Sequence, residues 1–172
     1  KSSTRYSAST MFGRVEEDSI RYTQLRFIQE FNYKKFGLGL DLDFLFDKNY
    51  HIKESDWDHI GDALGKIYYF RYAEMGDPFF FHIGGFPKFS TGNGLVMLNY
   101  SNMTYYPDLR HNGLLIGGKI PTLFEPELEL FSSDITKNDL LSFRAHFKPL
   151  ADSTVKILDM ATLGFSIYSD LN

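Results

Sequence analysis

The stretch Leu141-Ser142-Phe143-Arg144-Ala145-His146-Phe147-Lys148 decides the fold class. Its odd positions are all apolar and its even positions all polar or charged. A period of two places the two sets on opposite faces of a β-strand, whereas a helix would interleave them. The same rule recurs upstream. Leu25, Phe27, Phe31 and Tyr33 alternate with Gln24, Arg26, Glu30 and Asn32. In the next segment Leu38, Leu40, Leu42, Phe44 and Phe46 alternate with Gly37, Gly39, Asp41 and Asp43. Leu163 to Tyr168 repeats the pattern near the other end of the chain.

Weaker strand signals cover residues 67–72 and 79–83, split by the turn Met75-Gly76-Asp77-Pro78, and residues 95–100, 113–120 and 127–131. These rules predict about nine strands. One short helix is predicted near residues 55–66. Ser55-Asp56-Trp57-Asp58 reads as a cap with acids in its first turn, and Trp57, Ile60 and Leu64 form one apolar stripe. A poorer helical pattern covers residues 93–100. No long repeat or linker interrupts the chain, so one β-dominated domain is expected over residues 1–172.

Composition removes several functions. The 172 residues hold no Cys, which excludes a disulfide scaffold, a thiolate metal site and a cysteine nucleophile. A net charge of −4 argues against a nucleic-acid partner, which needs a basic surface for phosphates. Aromatic residues make up 17% of the chain, yet the mean hydropathy is only −0.26. Half-polar strands average to such a value.

Alternation alone fits two architectures. A soluble sheet turns its apolar face to a core, and a membrane barrel turns it to lipid with the polar face lining the interior. The faces lean toward the second. Asp41, Asp43, Gly37 and Gly39 share one face, and Arg144, His146 and Lys148 share another, as complementary charges and small residues would in a narrow lumen. Tyr33, Phe36, Tyr68, Tyr72 and Tyr168 sit toward segment ends, where interfacial girdles place aromatics.

A resemblance adds to this. Lys66-Ile67-Tyr68-Tyr69-Phe70-Arg71-Tyr72 is followed by Gly76-Asp77-Pro78-Phe79-Phe80-Phe81-His82-Ile83-Gly84, then by Ser90-Thr91-Gly92-Asn93-Gly94-Leu95 and Asn99-Tyr100-Ser101-Asn102-Met103. Together with Asp56-Trp57-Asp58 and the closing residues 164–171, this order resembles a group of poorly characterised bacterial proteins regarded as outer-membrane β-barrels. The resemblance implies location in the bacterial outer membrane, a lipid bilayer as partner and no catalysis. Two departures stand beside it. Such barrels usually end on an aromatic residue, whereas this sequence ends Asp170-Leu171-Asn172, and members of the group are longer. Either would follow if these residues were one part of a larger barrel; the remainder of that barrel or other protein subunits are the protein partners expected beside the bilayer.

Chemistry-bearing motifs are sparse. His51, His59, His82, His111 and His146 show no metal-ligand spacing, and no nucleophile elbow or phosphate loop is present. Asp56, Asp58, His59 and Asp62 read as helix capping and a solvated face rather than a cation site. Asp41 and Asp43 suit interior salt bridges to Arg26 or Arg144 better than acid–base work. No cofactor or metal is expected.

The sequence thus predicts an all-β, antiparallel up-and-down barrel of about eight or nine strands, or part of a larger one, with a structural or passive transport role. Leu25, Phe27, Leu40, Leu42, Phe143 and Phe147 would face lipid. Arg26, Glu30, Asp41, Asp43, Arg71, His82, Arg144, His146 and Lys148 would line the interior. The competing expectation is a soluble barrel or sandwich, secreted or periplasmic, that binds an apolar ligand or a protein partner.

Overall fold

The computed structural model describes residues 4–17, 19–54, 57–59, 65–92, 94–106, 109–122, 124–137, 139–149 and 161–171. Nine strands follow in order: β1 (Arg5–Glu17), β2 (Ile20–Tyr33), β3 (Phe36–Phe46), β4 (Ile67–Tyr72), β5 (Phe79–Gly84), β6 (Gly113–Lys119), β7 (Glu127–Ser132), β8 (Leu140–Phe147) and β9 (Leu163–Asp170). They form one antiparallel up-and-down sheet in sequence order. The ladder is open: among the described residues β1 pairs only with β2, and β9 only with β8. Barrel closure is therefore not part of the observed architecture. The chain divides into two compact units, residues 1–70 and 71–172.

In the first unit, β1, β2 and β3 are joined by tight hairpins that pair Glu17 with Ile20 and Tyr33 with Phe36. Such two-residue turns require left-handed backbone, supplied here by Ser19 at φ 65° and Lys34 at φ 54°. The hairpin registers align rows across the strands. Phe12, Leu25 and Phe44 share one row, and Thr10, Phe27 and Leu42 the next on the same face. The opposite face carries Ser7, Glu30 and Gly39, then Ser9, Ile28 and Asp41. Burial inverts the soluble rule. On β3 the buried residues are Gly37, Gly39, Asp41 and Leu45, while Leu38, Leu40, Leu42, Phe44 and Phe46 are all less covered. On β1, Phe12 is 77% exposed.

The second unit follows the same inversion with a different filling. Phe81, Ile116, Leu130, Phe143 and Ile167 form one outward row across β5–β9, with Ile167 61% exposed. The opposite face carries His82, Leu115, Phe131, Ser142 and Tyr168 in one row, and Phe80, Gly117, Glu129, Arg144 and Ser166 in the next. A returning segment, residues 85–103, packs on that face. Its Phe86, Phe89 and Met97 join Ala73, Phe80, Leu115 and Phe131 in a buried core. Phe131 stacks on Phe89 at 4.3 Å and meets Phe86 and Tyr100 edge-on.

Asn102 fastens this segment. Its Oδ1 accepts from the Phe86 N–H at 2.7 Å, and its Nδ2 donates to the carbonyls of Gly84, His111 and Ser133. A Cβ at Gly113 would come within 2.9 Å of the Asn102 amide and the Phe86 ring, so only glycine allows that approach.

Three sequence expectations change. Residues 95–100 form no strand and no helix: their described members are bends, with an isolated bridge between Phe89 and Tyr100. The ninth strand is instead β1, whose Ser7, Ala8, Ser9 and Thr10 write too faint a hydrophobic period to be read. Of the helix predicted near 55–66, residues 55, 56 and 60–64 lie outside the described residues, as do Asp56 and Asp62 of the acidic cluster. Residues 57–59 form turns, with Trp57 stacked on Phe44 at 4.7 Å and the Lys66 ammonium 4.6 Å from its ring. No described helix is long and apolar enough to cross a membrane, which says nothing of crossing by strands.

Candidate functional site

The buried polar face of the first unit is organised by Arg26. From β2 it donates Nε–H to Asp41 Oδ1 at 2.8 Å and Nη2–H to Asp41 Oδ2 at 2.7 Å, a two-pronged bond to the neighbouring strand. Asp41 is 1% exposed and Arg26 6%. The forked guanidinium matches both carboxylate oxygens, which compensates the loss of water around two buried charges. Asp43, one pleat away, accepts from Gln24 Nε2 at 2.7 Å. Glu30 accepts from the Tyr68 hydroxyl and from Ser7 Oγ. Tyr68 and Tyr69 lie over Gly39, where a Cβ would collide with both rings. Thus Arg26, Glu30, Asp41 and Asp43 are brought onto one buried face.

In the second unit the charged rows belong to β6–β8. Glu129 lies opposite Arg144, and Glu127 opposite both Lys119 and His146. Glu127 Oε2 is 3.4 Å from His146 Nε2 and 3.7 Å from Lys119 Nζ. Glu129 is 5% exposed, and its Oε1 has no hydrogen-bond partner among the described residues. Beside this wall lies an open cavity of about 470 Å³ lined by Arg144, His146, Thr91, Ser166, Tyr168 and the apolar pair Leu95 and Val96. The hydroxyls of Thr91 and Tyr168, both in its lining, share a hydrogen bond of 2.5 Å.

A second cavity of about 300 Å³ is lined by His111, Ser101, Tyr100 and Ser133 among others. His111 donates Nδ1–H to Asp134 Oδ2 at 2.7 Å. Burial favours the protonated form of Asp134. The Thr136 hydroxyl and N–H, with His111, oppose it and hold the carboxyl below its usual range. Among the described residues no serine hydroxyl bonds to His111. Among the described residues no three His, Asp or Glu side chains gather to hold a metal ion.

Three of the expected interior residues make bonds outside these charged rows. Arg71 donates to Glu74 Oε1 at 2.8 Å and to the Ala73 carbonyl in the β4–β5 turn. His82 donates Nε2–H to the Gly85 carbonyl at 2.9 Å and packs on Phe86, so it braces the returning segment. Lys148 lies just past β8 and pairs with Glu125 at 2.9 Å on the exposed surface. It follows the end of β8 at Phe147. Tyr68 and Tyr168, expected in an interfacial girdle, point instead to Glu30 and Thr91. Glu127 and Glu129 were not singled out in the sequence, and Asn102 entered only within the segment that carries the resemblance. The first two were legible, since Glu127-Leu128-Glu129-Leu130 alternates and sets both acids on one face. Comparison with protein-family models, curated proteins and solved structures finds no match to this chain.

Proposed function

We propose that the chain is an outer-membrane-type β-barrel, or a substantial part of one, with a structural or passive transport role. The observation that carries this reading is the inverted sheet. In the first unit the apolar rows of β3 are less covered than its row of charge and glycine; in the second unit an apolar row also faces outward, while the covered face carries Phe80, Leu115 and Phe131 beside its charged and small residues. In water that arrangement leaves large apolar surface unsatisfied, whereas in a bilayer it is the stable one. Strand length in the first unit agrees. The 11 residues of β3 rise roughly 33 Å, which a tilt of about 40° reduces to the ~25 Å of an outer-membrane apolar band. Trp57 and Lys66 at one end of these rows, and Tyr33 and Phe36 at the other, suit the headgroup level.

The test is membrane assembly of variants in neighbouring positions. Phe143→Arg sets a charge in the lipid-facing row, at a cost of roughly 2–4 kcal/mol near the bilayer centre, and should abolish detergent-dependent extraction from membranes. Arg144→Ala, one residue on, should assemble normally. A wild-type chain that purifies as a monomer without detergent sinks the proposal.

The aromatic core beneath β5–β7 favours a second reading, a soluble binding module. In that case the exposed rows of Phe, Leu and Ile would need a protein partner to cover them.

A further inference from the structure

We propose that the cavity beside Arg144 binds a small amphiphilic carboxylate, a short acyl anion whose head meets the guanidinium and whose tail lies along Leu95 and Val96. This goes beyond the bilayer reading and does not rest on it, since every residue involved lies within residues 71–172. The volume of about 470 Å³ falls in the range of roughly 300–1,000 Å³ found for small-molecule sites.

Two otherwise unexplained features meet there. The first is Arg144 itself. It faces Glu129 across the β7–β8 register, yet it makes no hydrogen bond or ion pair within 4.0 Å among the described residues. Its Nε is held against Gly92, where a Cβ would come within 3.1 Å. A planar fork of five donors in a partly covered wall is the side chain best matched to a carboxylate. The Ser166 hydroxyl and the Thr91–Tyr168 pair give neutral polar groups beside it. Among the described residues Arg144 is the one arginine or lysine that lines the cavity, so a monoanion fits better than a dianion.

The second feature is the exposed knob. Leu95 is 91% and Val96 69% exposed, while Met97 next to them is anchored in the core. The anchor fixes the knob's backbone, so its two apolar side chains are held at the cavity rim. A ligand charged at one end and apolar at the other accounts for both features; an inorganic anion or a neutral oil accounts for only one.

Equilibrium dialysis of labelled acetate, butyrate, hexanoate and neutral hexanol against the full chain tests this, run in plain buffer if the chain purifies without detergent and in lipid nanodiscs if it does not, with the same medium lacking protein as blank. Hexanoate should bind saturably, with affinity rising about two- to fourfold per methylene along the acid series. Arg144→Gln should weaken hexanoate at least tenfold, and Leu95→Ser should weaken hexanoate while leaving acetate unchanged. Absence of saturable hexanoate binding, hexanol binding as tightly as hexanoate, a flat chain-length series, or full affinity in Arg144→Gln would each overturn the proposal. The wild-type series and the hexanol comparison need no variant, so they decide the matter even if a substitution prevents folding.

Discussion

The two units cover the same kind of surface in opposite ways. In residues 1–70 the strands run to 11–14 residues and the covered face is held by a buried ion pair, Arg26–Asp41, with tyrosines laid over glycine. In residues 71–172 the strands of β5–β9 are only 6–8 residues long, and the covered face is filled by an aromatic cluster that a returning segment completes. One interior is specified by charge geometry and the other by ring packing. The difference matters because the two respond differently to substitution. A charge pair fails when one member is lost, whereas a packed cluster fails in proportion to the volume or the hydrogen bonds removed.

The largest effect should come from breaking the ion pair. Arg26→Met leaves Asp41 charged and buried without its partner, at a cost of about 3–5 kcal/mol. The double variant Arg26→Met/Asp41→Leu should be much closer to wild type in denaturant unfolding, because no buried charge remains. A double variant as unstable as the single one would mean that shape, not charge, organises this face. Next, Asn102→Ala in the other unit strips the Phe86 N–H and three carbonyls of their partner, and should cost about 2–3 kcal/mol. It should also speed proteolysis within residues 85–103 while leaving cleavage of residues 1–70 unchanged. Equal exposure of both units would erase the contrast between them.

A smaller effect is set by pH. The Asp134 carboxyl is held below its usual range by Thr136 and His111 against the opposing influence of burial. The folded state therefore binds this proton less readily than the unfolded chain does. The stabilisation is intact at neutral pH, begins to fade as pH falls toward the ordinary aspartate value of about 3.9, and is gone below the depressed one. Asp134→Asn should lower stability at pH 7 and flatten that part of the acid limb. An unchanged acid limb would show that the Asp134 charge, with its Thr136 and His111 contacts, adds nothing to folding.

Much of this arrangement can be read from alternation. The parity of Arg26, Asp41 and Asp43 predicts a shared face, and Phe143 and Arg144 part to opposite sides as their spacing requires. Parity also held the correct direction for Tyr168, which shares its face with Ser166 and Gly164, although its place near a strand end suggested a girdle. β1 escaped notice because Ser, Ala and Thr carry too little hydrophobic contrast to mark two faces. The role of Asn102, which the sequence shows only as part of a motif, was hidden for a different reason. Its partners are backbone atoms brought together from three stretches, at residues 84–86, 111 and 133, and backbone atoms write nothing into a sequence.

The central claim is that the exposed apolar rows meet lipid. The chain has no cysteine, so single thiols can be placed at will. Phe143→Cys and Arg144→Cys, each labelled with a fluorophore in the unfolded state, would be refolded into vesicles that carry nitroxide lipids. Strong quenching at position 143 with little at position 144 is the predicted result. Equal quenching at both positions, or none at 143, would contradict the account.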